Sequence, residues 1–262
     1  MVLMLSNDRA PLSFIVICLL LSIFVILIVL AGVFNTALAD YFLLLKDTGF
    51  LKAIIFTFQT SIPATLLSFF MGIPAGFYLA RYKNTLTKII DVIFDIPIVI
   101  PPLIVGILFL TFFNMPFIKS FYSFIFNVYG AIIAQFFIAC PFTVKAAKSS
   151  FELVPSIYEK ISMTLGANFF RAFYDTTFKL AFPGILSGLI LTFLRSFGEF
   201  GATLIVGGGI PGKTENIPVN IYLNISTGNF EKAMAASILT IIFICTGIFF
   251  VKLTFREKNI EQ

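Results

Sequence analysis

Residues 53–80 read AIIFTFQTSIPATLLSFFMGIPAGFYLA, a run of 28 positions without a charged side chain. About 20 apolar residues in a helix are enough to cross the hydrocarbon core of a bilayer. The run shows no alternation of apolar and polar residues, so it does not resemble a strand of a membrane barrel. It predicts a transmembrane helix.

Five further apolar runs lie on either side of this segment. The first of them holds 23 uncharged residues, longer than the roughly 7–15-residue core of a signal peptide, so we expect it to be retained as a spanning helix. Hydrophobic residues make up 59% of the chain and charged residues 12%, which excludes a water-soluble protein. We therefore expect an all-α integral membrane protein, with residues 1–262 forming a single transmembrane domain of six helices. The five further runs cover residues 12–34, 96–118, 120–144, about 181–206 and 233–251.

The available side chains limit the chemistry of this chain. It has no His, which removes His-dependent triads and the usual zinc hydrolase sites. Its three cysteines, Cys18, Cys140 and Cys245, lie far apart in apolar runs and are interpreted as free thiols. No nucleophile–base pair is visible, so an intramembrane enzyme is disfavoured. We expect no catalytic residue and no metal site.

Basic residues are distributed unevenly between alternate connections. If the N-terminus is cytoplasmic, twelve Lys and Arg residues fall inside and five outside, with the intramembrane Arg195 left out. Cytoplasmic loops carry the excess of these residues, so both termini are predicted to be cytoplasmic, with an inner loop at about 145–180 and an outer loop at about 207–231. The cations are spread among loops, which argues against a nucleic-acid partner. The inner set is Arg9, Arg81, Lys83, Lys88, Lys145, Lys148, Lys160, Arg171, Lys179, Lys252, Arg256 and Lys258, and the outer set is Lys46, Lys52, Lys119, Lys213 and Lys232.

The inner loop contains an amphipathic pattern. Ile157, Ile161 and Leu165 recur at a spacing of four, which predicts one face of a short helix. Gly166 suits the left-handed residue that ends a helix, and Asn168 suits the N-cap of a second one. Two interpretations fit this pattern: a helix lying on lipid, or a helix presented to a soluble partner.

Two charges lie inside the fifth apolar run. Arg195 and Glu199 are four residues apart, which predicts that they share one face of one helix. Charges at membrane depth normally pair or face water, so the two either neutralise each other or line a polar path between subunits. The second interpretation is favoured because Gly198 and Gly201 permit close helix approach.

Residues 207–214, GGGIPGKT, formally satisfy the phosphate-loop pattern G-x-x-x-x-G-K-[ST]. That loop binds phosphate only between a strand and a helix, whereas this segment follows a membrane run and precedes Pro218. We interpret it as a Gly-rich, flexible outer loop.

Several segments resemble the permease subunits of ABC importers. Leu165-Gly166-Ala167, Phe173 and Pro183-Gly184-Ile185 are similar to the E-A-A-x3-G loop of that family. Lys160-Ile161-Ser162 replace its Glu-Ala-Ala, with Glu159 one position earlier. Residues 195–204, RSFGEFGATL, with Ile210-Pro211-Gly212-Lys213-Thr214 and Ile217-Pro218, are similar to molybdate and tungstate importer permeases, and sulfate permeases look related.

The resemblance implies a type I ABC importer permease fold and assigns residues to three regions. A loop that docks on an ATPase would comprise Tyr158, Glu159, Lys160, Ile161, Leu165, Gly166, Ala167, Phe169, Phe170 and Phe173. A translocation path and gate would comprise Arg195, Gly198, Glu199, Phe200, Gly201, Ala202 and Thr203. Lys213 would face the binding protein.

The resemblance further implies a function. The chain would be a homodimeric permease in the cell membrane, working with two ATP-binding subunits and an extracellular oxyanion-binding protein to import molybdate or tungstate by alternating access. It would hold no cofactor, since ATP and Mg²⁺ belong to the partner ATPase. The alternatives are a permease for sulfate or another oxyanion, or an ion-coupled secondary transporter, for which only Glu199 offers an intramembrane carboxylate.

Overall fold

The computed structural model describes residues 12–258, with side chains for residues 12–249, and this part of the chain contains helices and no strand. Of the cations predicted above to be cytoplasmic, Arg9 lies outside the described residues, as do the side chains of Lys252, Arg256 and Lys258. The helices are α1 Leu12–Phe34, α2 Leu38–Lys46, α3 Thr48–Arg81, α4 Thr85–Val99, α5 Pro102–Phe113, α6 Pro116–Phe121, α7 Val128–Glu152, α8 Ile157–Thr164, α9 Phe169–Ala172, a π-helix Phe173–Phe178, α10 Lys179–Phe197, α11 Gly201–Gly207, α12 Ile217–Ser226 and α13 Phe230–Lys258.

Five stretches within the described residues are long and apolar enough to cross a membrane, and the pair α4–α5 makes a sixth if it counts as one bent span. This confirms the all-helical membrane fold. The expectation of one continuous helix over residues 96–118 was wrong, because the chain bends by 108° between α4 and α5. The bend falls at Pro101-Pro102, since neither proline donates a backbone N–H and Ile100 is held in an extended conformation.

Close packing of small residues holds α3 and α10 against α7. Helices α3 and α10 each carry a pair of glycines, four residues apart, that faces α7. This spacing lets membrane helices approach closely. On α3, Gly72 faces Thr143 and Gly76 faces Ala147; on α10, Gly184 faces Ser150 and Gly188 faces Ala146.

Replacement of Gly188 by alanine is expected to destabilise the bundle. A Cβ at this position would lie 2.1 Å from the Cβ of Ala146, far inside contact distance, so the helices must separate. Overpacking of this kind costs roughly 1–3 kcal/mol. The control is Gly247→Ala in α13, where a Cβ meets nothing within 4 Å. Thermal unfolding in detergent should show a lower midpoint for Gly188→Ala alone, and equal midpoints for the two variants would contradict this packing.

Candidate functional site

The fifth apolar run is broken at residues 198–200. α10 ends at Phe197, Gly198 donates its N–H to the carbonyl of Leu194 (3.0 Å), and α11 starts afresh at Gly201. The expectation that Arg195 and Glu199 share one continuous helix was therefore wrong. Within the break, the Glu199 carboxylate accepts the N–H of Ala202 (3.0 Å), an amide in the first turn of α11 that has no carbonyl partner inside that helix.

Glu199 is held on three sides within the break. Its side chain is 1% exposed, and Nη1 of Arg195 donates to Oε2 at 2.6 Å. Its Oε1 accepts a hydrogen bond from the backbone N–H of Ala202. The backbone carbonyl of Glu199 accepts a hydrogen bond from Nδ2 of Asn216 at 2.6 Å. The expected pairing of Arg195 with Glu199 is thus present. Arg195 keeps 30% of its side chain exposed. Within this ion pair, Glu199 is therefore buried and Arg195 remains partly accessible.

Gln135 of α7 bridges the two sides of the break. Its Nε2 donates to the hydroxyl of Thr203 in α11, and its Oε1 accepts the hydroxyl of Ser196 in α10, both at 3.2 Å. All three side chains are buried. Sequence reasoning missed Gln135, because an uncharged residue inside an apolar run carries no signal of its own.

The breaks of the third and fifth spans meet each other. A Cβ on Gly201 would lie 2.8 Å from the amide nitrogen of Leu103, at the start of α5. A Cβ on Gly106 would lie 3.1 Å from the Cα of Ala202. The half-helices α5 and α11 therefore cross in backbone contact. Two discontinuous helices that cross at their breaks are the usual setting of a transport path.

The remaining residues of the expected gate are placed differently. Gly201, Ala202 and Thr203 are buried, while Gly198 is exposed and meets no neighbouring helix. The ring of Phe200 packs on Tyr222 of α12, with ring centroids 5.1 Å apart. Of the two glycines expected to allow close helix approach, only Gly201 does so.

The segment 207–214 closes on itself. The hydroxyl of Thr214 donates to the carbonyl of Gly207 (2.6 Å) and accepts the N–H of Ile210 (3.1 Å). The segment starts at the end of α11, which is a helix and not the strand that a phosphate loop requires. Lys213 is exposed at its tip.

The loop segment 157–178 contains two short helices around a glycine, as the sequence predicts. Gly166 has φ +94° and ends α8 in the left-handed conformation. Asn168 caps α9 by accepting the N–H of Arg171 at 2.9 Å. The π-helix that follows was not predicted, and helical structure continues from Phe169 to Phe197.

This loop segment presents an exposed apolar surface. Leu165 is 82% exposed and Phe170 is 79% exposed, on either side of Gly166. Around them lie further exposed members of the expected docking set, namely Tyr158, Lys160, Ile161 and Phe169, with Ala167 half-buried.

Two residues of the expected docking set point into the protein. Glu159 is buried and bonded to Arg81 and Thr177. The ring of Phe173 packs on Phe77, with centroids 4.7 Å apart. Neither residue contributes to the exposed surface. Sequence spacing placed them on the docking loop but did not show which way they face.

Two broken membrane spans in backbone contact, a buried polar cluster at one of the breaks and an exposed apolar loop favour a multi-pass transport permease. The family model of the binding-protein-dependent transport system inner membrane component matches residues 72–256, more than half of the chain. The chain belongs to this family and is an ABC importer permease of the inner membrane.

Relatives named as transport permeases support the family assignment. The chain is 35% identical over 224 residues to the probable transport system permease protein NifC of Clostridium pasteurianum, covering 82% of this chain and 77% of the relative. It is 34% identical to the molybdenum transport system permease protein ModB of Escherichia coli strain K12, with 70% and 83% covered. It is also 34% identical to the molybdate/tungstate transport system permease protein WtpB of Thermococcus kodakarensis, with 68% and 70% covered.

Solved ABC transporters share the fold. A chain of a bacterial transporter involved in the import of alginate aligns with a TM-score of 0.70 at 18% identity, covering 92% of both chains. A chain of the inward-facing methionine transporter MetNI aligns with a TM-score of 0.60 at 16% identity, covering 78% of this chain and 91% of the other. At such identities the likeness concerns the fold alone.

Proposed function

We propose that this chain is the permease subunit of an ATP-driven importer of molybdate or tungstate. Two copies assemble with two copies of a separate ATPase, and an external binding protein delivers the tetrahedral oxyanion near Lys213. ATP and Mg²⁺ are bound by the ATPase, so this chain moves its substrate without covalent chemistry. The similarity to permeases named for molybdenum and for molybdate/tungstate carries the choice of substrate.

The exposed surface of the loop segment 157–178 supports the ATPase partner. Leu165 and Phe170 offer two large, exposed apolar side chains held in a fixed relation by the Gly166 turn and the Asn168 cap. A helix docked in a protein groove is recognised through a few such anchors. The left-handed break at Gly166 and the direct continuation of α9 into a membrane-spanning helix favour a protein groove over a helix lying on lipid.

Helical continuity supports a mechanical connection from this loop to the broken spans. The stretch from Phe169 to Phe197 is 29 residues of continuous helical structure, so Phe170 and Arg195 lie near its two ends. A helical stretch of this length spans about 40 Å. Displacement of α9 by the ATPase would therefore move the end of α10 against the crossing of α5 and α11. Gating at that crossing is the alternating-access step that we propose.

The charge arrangement at the break suits transient passage of an anion. Arg195 donates through Nη1 to Glu199 and keeps 30% of its side chain exposed, so part of this side chain is open to a passing substrate. Glu199 balances the charge, so the pair offers hydrogen-bond donors without a strong net positive potential. A path must bind its substrate weakly enough to release it.

The orientation is tested by cysteine labelling in a background without native cysteines. Lys213→Cys should react with a membrane-impermeant maleimide in intact cells, and Lys160→Cys should react only after permeabilisation. Both residues are exposed, and the predicted topology places Lys213 outside the cell and Lys160 inside it. Asn216 is unsuitable as a probe, since it is fully buried and caps α12. Reversed labelling would overturn the orientation and the docking role of the inner loop.

The assembly is tested by affinity purification of the tagged chain from its native cells, in which the partner ATPase is also expressed. The expected result is a complex of two permeases and two ATPases by native mass spectrometry. A chain that purifies without an ATPase under conditions that preserve its fold would favour a secondary transporter and contradict the proposal.

A further inference from the structure

We propose that Arg81, Glu159 and Thr177 form a latch that makes the ATPase-docking loop rigid with respect to α3 and α7. This inference rests on the proposed function, because it assigns three residues the task of transmitting ATPase motion. The latch residues are positioning residues, since they touch neither the substrate nor the exposed docking surface.

Arg81, at the end of α3, joins two other elements. Its Nη1 donates to the carbonyls of Phe151 (3.0 Å) and Val154 (2.9 Å), where α7 ends. Its Nε and Nη2 donate to Oε1 of Glu159 in α8, at 3.1 and 2.7 Å. The guanidinium also lies over the ring of Phe77, 5.7 Å from its centroid. One side chain thus fastens α3, the end of α7 and α8 together.

Thr177 adds the next segment of the chain to the latch. Its hydroxyl donates to the same Oε1 of Glu159 at 2.6 Å, and the residue is fully buried. Thr177 lies in the π-helix, in which the wider turn shifts every later residue relative to an α-helix. The π-helix begins where α9 ends, so the latch holds both sides of the loop that carries Leu165 and Phe170.

Burial makes this connection stiff. The side chains of Arg81 and Glu159 are 14% and 10% exposed, and three donors converge on one carboxylate oxygen. Hydrogen bonds to buried charges are stronger than neutral ones and costly to leave unmade. The neighbouring pair of Lys83 with Glu152 links only the ends of α3 and α7 and lies at the surface, with 64% and 39% of the side chains exposed. Exposed ion pairs of that kind contribute little to stability. A push on α8 and α9 is therefore transmitted through the latch to α3 and α7.

The test compares variants that remove one element of the latch with matched variants outside it. Glu159→Gln keeps the shape but removes the charge, and its control is Glu152→Gln in the exposed pair. Thr177→Val removes one hydroxyl, and its control is Thr176→Val, whose hydroxyl bonds only within its own helical segment, to the carbonyl of Ala172. Each permease is purified with its ATPase and reconstituted with the binding protein in proteoliposomes. ATP hydrolysis and molybdate uptake are then measured in the same vesicles.

A loosened latch should uncouple hydrolysis from transport in complexes that still assemble. We expect ATP hydrolysed per molybdate ion to rise about tenfold for Glu159→Gln and about threefold for Thr177→Val. Both controls should stay within about twofold of the parent. Latch variants that assemble in lower yield but keep the parent's ratio would show a purely structural role and overturn the latch. If Glu159→Gln fails to fold, the ratio of ATP hydrolysed to molybdate imported by Thr177→Val decides whether the latch couples the two. A parent complex without ATP-driven uptake would overturn the proposed function, and the latch with it.

Discussion

Gly166→Val is expected to insert and fold but to lose ATPase co-purification and ATP-driven uptake. Gly166 has φ +94°, and a side chain there meets no atom within 4 Å. The penalty therefore comes from the backbone, since a β-branched residue avoids this conformation. Relaxation to φ below zero would turn Phe170 away from Leu165. Loss of a central anchor commonly costs about 2 kcal/mol or more, roughly thirtyfold in affinity.

The matched control is Gly228→Val, between α12 and α13. Gly228 has φ +81° and also meets nothing within 4 Å, so the valine imposes the same backbone strain far from the docking loop. This variant should co-purify with the ATPase as the parent does. Normal co-purification and normal uptake in Gly166→Val would remove the coupling role from this loop.

Replacement of Glu199 by glutamine is expected to impair assembly of the permease. Arg195 would keep its charge without a carboxylate partner, at a cost of roughly 2.5–3.5 kcal/mol near the middle of the bilayer. The amide oxygen still accepts the N–H of Ala202, so this bond to the first turn of α11 persists while the ion pair is lost. The double variant Arg195→Gln with Glu199→Gln should therefore assemble better than either single variant. Gel filtration in detergent measures the monodisperse fraction of each.

Glu231→Gln is the control for this series, because Glu231 is exposed in the first turn of α13. It should leave assembly and uptake unchanged. If both single variants of the pair also assemble and transport normally, the pair is incidental, and the assignment of a gate around residues 198–203 loses its physical support.

Hydropathy was sufficient to predict a helical membrane protein but not where its spans break. The run 96–118 contains no charge, and its continuity ends at Pro101-Pro102, where backbone chemistry overrides hydropathy. The fifth run ends at Gly198 for a different reason. There the side chain of Glu199 accepts a first-turn N–H of α11, a contact that depends on local geometry and that composition does not record.

The local signals of the inner loop were the most reliable part of the site prediction. Gly166 as a left-handed terminus and Asn168 as a cap depend only on nearby residues, and both are present. The direction of Glu159 was not predictable, because its partner Arg81 is 78 residues away in the chain. The bridge from Gln135 and the bond from Asn216 to Glu199 were missed because an uncharged polar side chain carries no sequence signal of its partner.

The most direct test of the proposed function is uptake of radiolabelled molybdate into proteoliposomes that contain this permease with its ATPase and binding protein. Uptake should require ATP on the ATPase side, should be competed by unlabelled tungstate, and should resist a large excess of sulfate. Uptake without ATP would contradict an ABC importer. ATP-driven uptake of sulfate in place of molybdate would contradict the assignment of the substrate.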